Sequence, residues 1–81
     1  LERRIPHRSV FHYRLKVPSI ASLDALRREA ETARLKLGEL TFQKEGDTAF
    51  LSFHLETNIS QARAFREKIL AVGEIVEIRT D

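Results

Sequence analysis

The sequence predicts an α+β two-layer sandwich with the element order β-α-β-β-α-β. Three observations predict it. Apolar and polar residues alternate over 10–17 and 49–56, apolar residues recur at three- and four-residue steps over 23–37 and 62–72, and Glu45-Gly46-Asp47-Thr48 has the chemistry of a tight hairpin turn. Each such element is apolar on one face and must bury it, so six in this order pack as a sheet covered by helices.

Residues 1–9 form a basic segment that contains Arg3, Arg4 and Arg8, and its Ile5-Pro6 pair favours extended backbone. This segment is expected to be a linker, with the folded domain spanning 10–81. In the first strand, Phe11, Tyr13, Leu15 and Val17 point one way and Val10, His12, Arg14 and Lys16 the other. Pro18 stops it. Ser19 or Ser22 is placed to cap the first helix, Asp24 suits its first turn, and Leu23, Leu26, Ala30, Ala33 and Leu37 form its apolar stripe. Gly38 is expected to end that helix in the left-handed conformation.

Leu40 and Phe42 face inward on a short second strand, and the hairpin leads into a third with Ala49, Leu51, Phe53 and Leu55 inward. Asn58 or Ser60 caps the second helix, whose stripe is Ala62, Phe65, Ile69 and Val72 and which Gly73 closes. The last strand is expected to bury Val76 and Ile78 and to expose Ile75, Glu77 and Arg79. Two βαβ-type halves of this length imply a ferredoxin-like, or ACT-like, arrangement: an antiparallel sheet in the order 4-1-3-2 with both helices on one face. The other sheet face is left open. Val10, His12, Arg14, Lys16, Thr41, Gln43, Phe50, Ser52, His54, Glu56, Ile75, Glu77 and Arg79 are expected on it, and any function is expected there.

Composition narrows the function classes. An 81-residue chain holds one modest core, and a net charge of +2 from 14 basic and 12 acidic residues is weak support for nucleic-acid binding. Without cysteine there is no disulfide, thiolate metal site or cysteine nucleophile. No segment approaches the ~18 apolar residues of a spanning helix. Lacking methionine and beginning at Leu1, the sequence is expected to be an excised part of a longer protein.

His12 and His54 lie on neighbouring strands, with Glu56 near, and two imidazoles and a carboxylate are a zinc-type donor set. Neither histidine belongs to a local ligand spacing, so a solvated face is the plainer reading and no bound metal is expected. RNA-recognition domains share this topology, but here Phe11, Tyr13 and Phe53 fall on the helix side and residues 47–54 lack the glycine-and-aromatic signature. Copper chaperones need cysteines, and acylphosphatases a glycine-rich loop with arginine; residues 17–22 have none of these. With no phosphate loop, nucleophile elbow or recognisable carboxylate pair, no catalytic residue and no cofactor are assigned, and the domain is expected not to be an enzyme. Phe50, Ile75 and Val10 instead suggest an apolar patch for docking, and the open-face interaction set is His12, Arg14, Phe50, His54 and Ile75.

Leu1-Glu2-Arg3-Arg4-Ile5-Pro6 is similar to the basic stretch with which MgtC/SapB-family bacterial inner-membrane proteins leave their last membrane helix. His12-Tyr13-Arg14-Leu15-Lys16-Val17 resembles the strand that opens their C-terminal domain. The resemblance implies an ACT-like domain on the cytoplasmic side of the inner membrane, in a family linked to magnesium homeostasis. Arg3, Arg4 and Arg8 would then be the membrane-flanking cations. It also implies an upstream transmembrane domain of the same chain as partner, with homodimerisation through the open face as a second expectation. Mg²⁺ needs oxygen ligands in near-octahedral geometry, and Asp24, Glu45, Asp47 and Glu56 are scattered, so a regulatory rather than a transporting role follows. The competing readings are an amino-acid-sensing ACT domain, from whose glycine-containing first loop residues 18–22 depart, and, third, an RNA-binding module.

Overall fold

A computed structural model describes residues 7–81. The elements are β1 (Arg8–Val17), α1 (Ala21–Ala33), β2 (Gly38–Glu45), β3 (Thr48–Asn58), α2 (Ile59–Val72) and β4 (Glu74–Thr80). The four strands form one antiparallel sheet in the order β2-β3-β1-β4, the ferredoxin-like arrangement. β1 starts at Arg8, so the last residues assigned to the linker belong to the sheet. Residues 1–6 of that linker, Arg3 and Arg4 among them, lie outside the described residues.

The β1–β3 ladder runs without interruption from Arg8↔Asn58 to Val17↔Ala49. Directly opposed residues share a sheet face, so Phe11 with Leu55, Tyr13 with Phe53 and Leu15 with Leu51 form the floor of the core. Tyr13 and Phe53 stack with ring centroids 4.9 Å apart. Burial pushes the Tyr13 hydroxyl above its usual pKa, an effect that the Arg66 guanidinium reduces. Leu26 and Ala30 of α1 and Ala62, Phe65, Ile69 and Val72 of α2 cover this floor.

Helix ends show where local pattern and structure differ. Ser19 Oγ accepts from the Ala21 N–H at 3.2 Å, whereas Ser22 is buried inside the first turn of α1. α1 ends at Ala33, earlier than its apolar stripe suggests. Arg34, at φ 57°, takes the left-handed position expected of Gly38, with Leu35 N–H bonded to Ala30 O at 2.8 Å and Arg34 N–H to Glu31 O at 3.1 Å. Leu35 and Leu37 still pack on the core, but from the connection. At α2 the Asn58 side chain accepts from the Gln61 N–H at 2.8 Å, a standard N-cap. Gly46, at φ 63°, supplies the positive dihedral at the first position of the β2–β3 turn.

β4 departs most from expectation. The β1–β4 register shifts between Arg14 and Leu15, where Arg14 faces Glu77 but Leu15 faces Ile75. Val76 is the extra residue of a bulge, so Ile75 and Ile78, opposite Leu15 and Tyr13, both point to the helix side. Ile75 therefore packs against the core and is not on the open face, while Val76 and Ile78, expected to be buried, are 53% and 42% exposed.

Gly73 admits the close passage of β1 beneath the end of α2: a Cβ there would lie 2.6 Å from Lys16 O and 2.7 Å from Val17 Cγ1. Gly73→Ala must push backbone against backbone and is expected to cost about 1–3 kcal/mol, read as a melting temperature lower by several degrees. Phe65→Ala, which empties the centre of the core, is expected to cost about 3–5 kcal/mol by urea denaturation.

Candidate functional site

The face of the sheet opposite the helices carries the alternate residues of each strand. The β1–β3 register sets His12 across from His54, Arg14 across from Ser52 and Lys16 across from Phe50. The two imidazoles lie 5.6 Å apart between centroids, tilted by 54°. His12 Nε2 is 2.8 Å from Asp81 Oδ2, and the Asp81 N–H donates to Val10 O at 3.1 Å, so the residue after β4 is fastened to β1 by two bonds. The hydrogen bond to His12 holds the Asp81 carboxyl below the usual aspartate range, with the charges of His12, Arg79 and His54 acting in the same direction.

Beside this pair the Arg14 guanidinium lies over the Phe50 ring, 4.2 Å from its centroid, and Arg14 Nη2 reaches Glu45 Oε2 at 3.3 Å. The stack orders a long side chain across β1, β3 and β2 and covers an aromatic that no helix covers. With Arg14 and Glu45 side chains 36% and 52% exposed, solvent weakens the ion pair. The cation–π contact contributes about 0.5–1 kcal/mol. Between the stack and the imidazoles runs a shallow cavity of about 290 Å³ lined by His12, Arg14, Glu39, Thr41, Ser52 and His54, among others.

Of the residues singled out in the sequence, His12, Arg14, Phe50 and His54 come together on this face, and Ile75 does not. Arg8 is engaged with Glu56, its Nη2 donating to Glu56 O at 2.7 Å and its Nε lying 3.7 Å from Glu56 Oε2. That contact draws Glu56 toward Arg8, and among the described residues no group of three His, Cys, Asp or Glu is placed to hold a metal ion.

Two contributors escape sequence reasoning. Asp81 joins the site only because β4 ends beside Val10 and His12. Gly38, at the start of β2, faces His54 across the β2–β3 ladder, and a Cβ there would lie 2.1 Å from His54 Nε2. The imidazole occupies the space a side chain would fill.

No family model matches the chain, and no curated protein matches it. Among solved structures it is similar to LarC2, the C-terminal domain of a cyclometallase involved in the synthesis of the NPN cofactor of lactate racemase, in its apo form. The TM-score is 0.55 at 14% sequence identity, covering 93% of this chain and 55% of that one. The chain thus spans about half the length of that structure, and the likeness is one of fold.

In a carboxyl NMR titration Asp81 is expected to protonate below an ordinary aspartate, and His12→Ala to move it back toward the ordinary range. Because its folded-state value is lowered, the stabilisation is present above the unfolded aspartate pKa and lost as pH falls through the folded one. Gly38→Ala is expected to displace the His54 ring, seen as loss of the His12–His54 cross-peaks in NOE spectra.

Proposed function

We propose that this domain is a non-catalytic regulatory and interaction module whose open sheet face pairs with the same face of a second copy. We propose further that it is the cytoplasmic C-terminal domain of an MgtC/SapB-type inner-membrane protein linked to magnesium homeostasis. The observation that carries the pairing is the Arg14–Phe50 stack beside the His12–His54 pair, ordered groups on two central strands that no helix covers. Central strands usually bury such groups, and an ordered surface loses less side-chain entropy when a partner covers it.

The charges on this face alternate in sign. Arg14, Lys16 and Arg79 are interspersed with Glu45, Glu56 and Glu77, a mixture from which an isologous pairing can set unlike charges opposite one another. Four strands at about 4.8 Å spacing present a modest face, at the low end of the ~800 Å² per partner found in stable interfaces. Pairing of isolated domains is therefore weak, and tethering to a membrane domain would raise the effective concentration.

The membrane assignment is supported by the basic residues at the start of the chain, which suit the cytoplasmic flank of a membrane helix. Among the described residues no helix is long and apolar enough to cross a membrane, so the spanning part would be supplied from outside 7–81. The regulatory role is supported by the placement of the acids: Glu45 and Glu56 face arginines, Asp47 lies in a turn and Asp24 on α1 near Arg27. They do not form the compact oxygen cage that Mg²⁺ requires.

Sedimentation equilibrium is expected to show a reversible dimer with a dissociation constant of about 0.1–1 mM, and Phe50→Asp to make it monomeric while leaving the melting temperature within a few degrees. A strictly monomeric wild type at millimolar concentration overturns the pairing. Tight, saturable Mg²⁺ binding to the isolated domain by calorimetry overturns the purely regulatory role.

A further inference from the structure

We infer that the cavity bounded by the α1–β2 connection, β3 and the first turn of α2 binds the phosphate group of a small ligand. The cavity holds about 540 Å³, within the range of small-molecule sites, and its polar lining is Arg8, Arg34, Lys36, His54, Glu56 and Gln61. It lies at the edge of the open face, where it shares His54 and Glu56 with that face but neither Arg14 nor Phe50, and it rests on neither the pairing nor the membrane assignment.

Three cations meet one carboxylate here. Glu56 is engaged by Arg8 at 3.7 Å, while Arg34 and Lys36 take part in no ion pair among the described residues. Arg34 is held where it is by backbone, since it occupies the left-handed position that closes α1 and its N–H is bonded to Glu31 O. The connection that carries both cations is pinned by Leu35 and Leu37, which pack on the core on either side of Lys36.

Gln61 makes the site selective for acceptors. Its carboxamide oxygen accepts from the hydroxyl of Thr57, a fully buried residue, and from Asn58 Nδ2 at 3.3 Å. With the oxygen committed twice, the amide is fixed in one orientation and its NH₂ is the end left to donate. Gln61 also stands in the first turn of α2, which carries no acidic residue to satisfy the positive end of the helix dipole. Gly38 keeps the floor free of a side chain, so His54 forms the wall. Guanidinium, ammonium and amide donors thus approach one volume from different elements. A phosphate, with three terminal oxygens and full negative charge, accepts from several directions at once; a carboxylate offers only two oxygens.

The test is an amide NMR titration of the chain at about 0.15 M salt, with inorganic phosphate, with ribose 5-phosphate, and with vesicles containing phosphatidic acid, whose headgroup is a phosphomonoester. Saturable shifts at Lys36, Gly38 and Gln61 are expected. Saturation by the soluble phosphates identifies a soluble ligand, and saturation by vesicles alone a lipid headgroup; both support the site. Gln61→Glu keeps the oxygen that Thr57 and Asn58 bond but turns the donor into a negative acceptor. It is expected to weaken binding by about tenfold or more with an unchanged or higher melting temperature. Joint Arg34→Gln and Lys36→Gln substitution is expected to do the same, and Lys68→Gln to do nothing. Shifts that never saturate, or equal binding by Gln61→Glu and the wild type, overturn the inference.

Discussion

The uninterrupted antiparallel register between β1 and β3 is the constraint on which the rest of this structure depends. Ten consecutive pairs, from Arg8↔Asn58 to Val17↔Ala49, lock two strands of alternating sequence so that each buried hydrophobic residue of β1 opposes a buried hydrophobic residue of β3. A slip of β1 by one residue would move Phe11, Tyr13 and Leu15 out of the core together, and a slip of β3 would do the same to Leu51, Phe53 and Leu55. The same locking places the polar residues of both strands on the opposite face. His12 meets His54 and Lys16 meets Phe50 because Tyr13 must meet Phe53.

The helices answer to this pair of strands. α2 brings Phe65 and Ile69 onto the floor, and its N-cap at Asn58 is the last residue of β3, so strand and helix join without a loop. That direct junction is why Thr57, Asn58 and Gln61 form one hydrogen-bonded group. α1 arrives through Pro18 and leaves through the left-handed Arg34, and the segment that follows is tacked to the core by alternate leucines. The cationic cavity and the open-face groove thus lie on either side of one residue, His54, whose ring is wedged between Gly38 and His12.

Much of this was legible in the sequence. The six elements, their order, the sheet order, the hairpin at Gly46 and the cap at Asn58 follow from periods and turn chemistry that operate over a few residues. The open-face positions of His12, Arg14, Phe50 and His54 follow from parity alone. What failed did so for a nameable reason. Strict alternation places Val76 inward and Ile75 outward, but a bulge opposite Arg14 and Leu15 inserts one residue and reverses that parity, while Ile78 keeps its helix-side orientation and is 42% exposed on the edge strand. Glycine is favoured at helix termini, which points to Gly38 as the end of α1, yet the Arg34 backbone takes the left-handed position itself and the glycine serves a contact with a residue sixteen positions away.

By itself, then, the chain determined its elements, their inward faces and the residues of its two central strands, because these depend on local backbone geometry and on the burial of apolar side chains. Tertiary structure alone decided the register of the edge strands, the seat of Asp81 beside His12, the packing of Gly38 against His54 and the gathering of Arg34, Lys36 and Gln61 around one cavity. Each of those unites residues distant in sequence. Their meeting is set by where a bulge falls and how a connection packs, quantities that leave no periodic trace in the order of amino acids.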